Sequence, residues 1–129
     1  MKPAALICLA LAVFDLALGG MAVWKPLIYA RLFHPDLTAP PLDFIARTGV
    51  IWLFFGVVEA LAAWKRDPVW FFAVGLFRLM EVPADVIYAT MAIGTSLLSR
   101  CALFFAPLIN LPLGVYLVTR IRVVERKSA

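Results

Sequence analysis

The chain has 129 residues, of which 64% are hydrophobic and only 16% charged, with a formal net charge of +4 and a mean hydropathy of +0.97. Those proportions exclude a soluble domain and predict an integral membrane protein. The basic residues form no stripe interleaved with aromatics, so the positive charge reads as a topology signal and an attraction to anionic headgroups, and no nucleic-acid partner is expected.

A helix needs about 20 mostly apolar residues to cross the hydrocarbon, and the chain holds four such runs, at about residues 4–24, 44–64, 68–92 and 97–119. The expected fold is therefore all-α: a single transmembrane domain, 1–129, built as an integral membrane four-helix bundle. Lys and Arg near span ends are retained on the cytoplasmic side. With four spans, Lys2, Lys65, Arg66, Arg120, Arg122, Arg126 and Lys127 share one side, and Lys25, Arg31, Arg47 and Arg100 the other. That balance predicts both termini in the cytoplasm and a multi-pass protein of the inner, cytoplasmic membrane.

The first run follows Met1-Lys2 as a signal peptide would. Its length, the central Asp15 and the lack of a small-x-small site before Trp24-Lys25 favour a retained span. Asp15 shares its helix face with Cys8, Leu11, Gly19 and Ala22, small enough on average for a neighbouring helix to come close. From Lys25 to Asp43 the prolines at 26, 35, 40 and 41 exclude a continuous helix. Within that stretch Leu27, Ile28, Leu32 and Phe33 are expected to rest on the outer membrane surface as a short amphipathic turn. His34, the only histidine, reads as a solvated loop residue, since no Cys or second His stands near enough to complete a metal site.

The second span opens at Asp43, a candidate cap or N-terminal charge, and carries the stripe Thr48, Trp52, Phe55, Gly56, Glu59, Ala63. In the turn Trp64-Lys65-Arg66-Asp67-Pro68, Asp67 is placed to cap the third span and Pro68 to take its first position, which makes spans two and three antiparallel neighbours. Arg78, Glu81, Asp85 and Tyr88 recur at i, i+3, i+7 and i+10 and so share one face of the third span. Pro83 removes a backbone donor among them and predicts a kink. Gly94-Thr95-Ser96 makes the next turn, with Thr95 or Ser96 capping the last span, where Pro107 and Pro112 flank Asn110. Cys8 and Cys101 lie near opposite membrane faces, beyond the about 4.4–6.8 Å Cα separation of a disulfide, and read as buried thiols.

Ionisable groups at mid-membrane cost about 2.5–3.5 kcal/mol each on insertion scales, so they must face protein or water. Asp15, Arg78, Glu81 and Asn110 fall near the midplane, with Glu59 and Asp85 about a turn to either side. These six, with Tyr88, are the candidate ligand or proton pocket. Arg78 is expected to pair with one or more carboxylates, and because one arginine cannot neutralise four, some are protonated, bind a cation or face water. The network either fixes helix register or forms a pocket for a proton, a cation or the head of an apolar ligand. No HExxH, CxxC, Gly-rich phosphate loop or Ser-His-Asp set is present. No catalytic residue, metal site or cofactor is therefore assigned, and an enzyme ranks last among the readings.

Arg47-Thr48-Gly49 opening the second span, Gly56-Val57-Val58-Glu59 within it, and Arg78 followed by Asp85 in the third make the chain resemble the DoxX-like group of small bacterial four-helix membrane proteins. The likeness extends over most of the chain in span layout. It implies a membrane subunit or companion of a quinone-linked redox system, as in some members, while many others have no assigned activity. More loosely, Glu59 with Glu81 and Asp85 is similar to the acidic pocket of the sterol-isomerase and sigma-2-like four-helix fold, which binds an amine or sterol. The isomerase histidine has no counterpart, because His34 falls in the outer loop. The functional expectation is an accessory or ligand-binding membrane component that meets a quinone, a lipid or a partner subunit. The alternative is a small proton-coupled transporter of a cationic or amphipathic solute, working as a homo-oligomer because 14.3 kDa is small for alternating access.

Overall fold

A computed structural model describes residues 2–91 and 94–119. Among them the chain is helical throughout, without strands, in five elements: α1 (Lys2–Trp24), α2 (Pro26–Phe33), α3 (Leu42–Lys65), α4 (Pro68–Met91) and α5 (Leu97–Val118). Ala92, expected to end the third span, lies outside the described residues. So do Arg120, Arg122, Arg126 and Lys127 of the cytoplasmic charge tally.

Local chemistry sets most of these boundaries. Pro26 stands in the first turn of α2, where its missing N–H costs nothing. The stretch expected as an amphipathic turn is thus a two-turn helix, with Leu27, Ile28 and Leu32 exposed. Asp67 Oδ1 accepts the Val69 N–H at 2.8 Å, capping α4, and Ser96 caps α5 by accepting the Ser99 N–H at 3.1 Å. Asp43 sits inside the first turn of α3 and is not its cap, a position held by Pro41. α4 continues unbroken through Pro83 to Met91.

α1, α3 and α5 are each long and apolar enough to cross a membrane. α4 matches them in length, but any stretch of about 20 residues within it includes Arg78, Glu81 and Asp85. Large apolar side chains cover the outside of the molecule, among them Leu6, Phe14, Phe54, Met80, Phe104 and Leu108. A surface of that kind is a poor match for water and a good one for acyl chains, and it identifies a membrane protein.

The long helices associate as two close pairs. α1 packs along α3 and α4 along α5, whereas α3 meets α4 over less surface and α1 barely touches α4. Glycines explain the closeness. A Cβ on Gly19 would lie 2.7 Å from the Gly49 carbonyl oxygen, and one on Gly49 2.9 Å from that of Gly19. Gly75 and Gly114 stand in the same reciprocal relation, at 2.9 and 3.0 Å. Backbone therefore touches backbone in both pairs, as packing inside lipid favours. Gly19 faces Gly49 while Leu16 faces Gly56, so α1 and α3 run in opposite directions.

The apolar core is divided. At the end carrying Lys2 and Arg66, Ala4, Cys8, Val58, Ala62, Phe71 and Leu117 form one cluster. Ala22, Ala30 and Ile45, packed by Tyr29 and Trp52, form another beside α2. Between them lies a layer of charged side chains. Cys8 is buried but Cys101 is exposed, correcting the expectation of two buried thiols; both are free.

Candidate functional site

Arg78, in the middle of α4, is 3% exposed and supplies the centre of that layer. Its guanidinium fork reaches three helices at once. Nε–H donates to Glu59 Oε1 on α3 at 3.0 Å, and Nη1 donates to Glu81 Oε2, one turn along α4, at 2.7 Å. Nη2 donates to Asp15 Oδ2 on α1 and also to Glu59 Oε1. Five fixed N–H groups in one plane are what allow a single side chain to do this, and a lysine ammonium could not.

The fourth long helix joins through an amide. Asn110 on α5 donates from Nδ2 to Glu81 Oε2 at 3.3 Å and to Asp85 Oδ2 at 3.4 Å. Asp15, Glu59, Arg78, Glu81, Asp85 and Asn110 are thus one connected network that ties α1, α3, α4 and α5 together. It crosses the seam between the two helix pairs, where the helices meet over less surface than within either pair.

Tyr88, the seventh candidate, does not reach that network. It lies on the same face of α4 but about a turn further along, is 44% exposed, and its hydroxyl meets Nε2 of His34. His34 itself departs from the sequence reading. It is buried at 8% exposure, packs edge-on against the Tyr88 ring at 5.9 Å between centroids, and is held by its backbone N–H to the Ala30 carbonyl at 2.7 Å. Position in a proline-rich loop concealed this, because the contact spans 54 residues of sequence. Nearby, burial pushes the Tyr29 phenol above its usual range, with the Tyr88 phenol a second cause.

Two buried side-chain atoms have no hydrogen-bond partner among the described residues: Glu59 Oε2 and His34 Nδ1. Each is a place where the protein alone leaves a polar group unmatched, at a cost of about 1–3 kcal/mol. Among the described residues no group of three or more His, Cys, Asp and Glu side chains has the arrangement to hold a metal ion. The charged layer sets carboxyl groups around a fixed cation, which can accept a proton or accept hydrogen bonds from a ligand's polar head. Comparison with known protein families, with curated proteins and with solved structures finds no match to this chain.

Proposed function

We propose that the protein is a four-span bundle of the DoxX-like type in the inner membrane, both termini cytoplasmic, acting as an accessory or ligand-binding component. Its site is the layer around Arg78. α4 serves as the fourth span, because its charged groups turn toward the other helices while Leu76, Met80, Val86 and Ile87 face outward. Lys2 and Arg66 line one surface cavity of about 250 Å³, which supports a shared, cytoplasmic end for the N-terminus and the α3–α4 turn.

The observation that carries the ligand reading is Glu59 Oε2, a buried acceptor without a donor, in a network of four carboxyl groups and one arginine. A ligand that brings a donor into this layer removes the mismatch. A quinol hydroxyl or the hydroxyl or amine head of a lipid does so, with its apolar tail lying in the seam between the helix pairs. Titration of the protein in phosphatidylcholine nanodiscs with decylubiquinol and with dodecylamine tests this. At least one raises the thermal midpoint of the wild type, and the rise disappears in Glu59→Gln. If neither moves the wild type, the ligand reading fails. Reporter fusions at both termini test the orientation, and an outward C-terminus overturns it.

A second reading is favoured by one feature, the unbroken hydrogen-bonded run from Asp15 and Glu59 through Arg78, Glu81 and Asn110 to Asp85. In a homo-oligomeric proton-coupled transporter Glu59, Glu81 and Asp85 relay protons or bind a cationic solute. Proteoliposomes carrying a pH-sensitive dye, with crosslinking in membranes, decide between the two. A monomer without proton-coupled flux excludes transport.

A further inference from the structure

The second unmatched atom, His34 Nδ1, lies well away from the Arg78 layer and has its own surroundings. His34 directly follows α2 and lines a cavity of about 210 Å³ bounded by α2 and the segment 34–40. Arg31 and Thr38 are the polar residues beside it, and Leu27, Ala30 and Leu37 supply apolar wall. The volume exceeds the about 150 Å³ in which a benzene ring is held in an engineered protein cavity.

A neutral imidazole has one donor nitrogen and one acceptor nitrogen. The Tyr88 hydroxyl and His34 Nε2 share a hydrogen bond, and with the phenol as its donor the ring proton sits on Nδ1. Nδ1–H is then a buried donor lacking an acceptor. Arg31, on the same wall, is exposed and always charged. The nearest acid in sequence, Asp36, is exposed and does not line the cavity. A cation, a buried N–H and a hydroxyl around an apolar floor match an oxyanion attached to an apolar body.

We propose that this cavity is a binding site for a small oxyanion of that kind, whose oxygens take the His34 Nδ1–H and the Arg31 guanidinium while its apolar part rests on Leu27 and Leu37. A free carboxylate of benzoate size and the phosphate of a lipid headgroup both carry this chemistry. Tyr88 is a positioning residue: it sets the histidine tautomer and touches no ligand.

The test uses the full chain in phosphatidylcholine nanodiscs with benzoate as probe, followed by calorimetry. Wild type binds saturably, and Arg31→Gln, a change at an exposed position, weakens binding about tenfold or more, as loss of a charge-assisted pair does. His34→Gln, which keeps a partner for Tyr88 but no group at Nδ1, weakens it similarly, whereas His34→Asn retains part of it. Nitrogen-15 spectra of the wild type show the ring protonated at Nδ1, a readout that stands even if the His34 variants do not fold. Where benzoate does not bind but added phosphatidylglycerol raises the thermal midpoint of wild type and not of Arg31→Gln, the occupant is the headgroup phosphate. Wild type and Arg31→Gln responding alike to both probes, or a ring protonated at Nε2, overturns the proposal.

Discussion

Arg78 holds three carboxylates with one guanidinium, so it cannot be removed in isolation. Arg78→Ala leaves Asp15, Glu59 and Glu81 without their cation in a low-dielectric layer, and a loss of about 3–5 kcal/mol is expected, as for other broken buried pairs. Arg78→Lys restores charge but not the fork and recovers only part of it. Thermal unfolding in detergent micelles measures both, and a wild-type midpoint in Arg78→Ala shows that the layer does not hold the helices. Tyr29 gives a pH prediction. Its phenol is raised by burial, so above about pH 10 the unfolded chain loses a proton that the folded chain keeps. Stability then falls with rising pH, by up to about 1.4 kcal/mol per unit for one proton. Tyr29→Phe makes that alkaline slope shallower, and an unchanged slope between pH 9 and 11 refutes the assignment.

Among elements, the contrast between neighbouring glycines is the sharpest check on helix pairing. A methyl at Gly19 meets backbone of α3, whereas one at Gly20 meets only the ring of Trp24, an exposed and movable side chain. Gly19→Ala therefore costs about 1–3 kcal/mol by overpacking. Gly20→Ala stays within about 1 kcal/mol of wild type, because removing a mid-helix glycine offsets the crowding. Equal midpoints for the two variants would refute the close α1–α3 pair. Asp67→Ala removes the α4 cap and costs about 1 kcal/mol. The helices themselves were readable because hydropathy, Pro and capping residues act locally: the Asp67-Pro68 start and a cap at Thr95 or Ser96, which the structure assigns to Ser96, needed no tertiary information. α2 was not, since eight residues ending before His34-Pro35 carry too short a period to separate from a turn.

For the whole molecule, the two tight pairs and the thin seam between them make the charged layer one link across the middle, beside the stacked rings of Phe55 and Phe77. Cys8 reports on that assembly. It is buried in the cluster at the Lys2 end, while Cys101 is exposed. A lipid-soluble maleimide should label Cys101 in the folded protein and reach Cys8 only on unfolding, or sooner in Arg78→Ala. Prompt labelling of Cys8 in the wild type would contradict the packing described.

Sequence alone determined that the chain is helical and belongs in a membrane, and that Asp15, Glu59, Arg78, Glu81, Asp85 and Asn110 must turn inward, because the cost of a charge in hydrocarbon depends only on residue type and depth. Tertiary structure decided which carboxylates share the guanidinium, that Tyr88 leaves them for His34, and that the long helices pair as α1 with α3 and α4 with α5. Those outcomes depend on contacts between residues up to 63 positions apart and on reciprocal glycines whose partners no local pattern names.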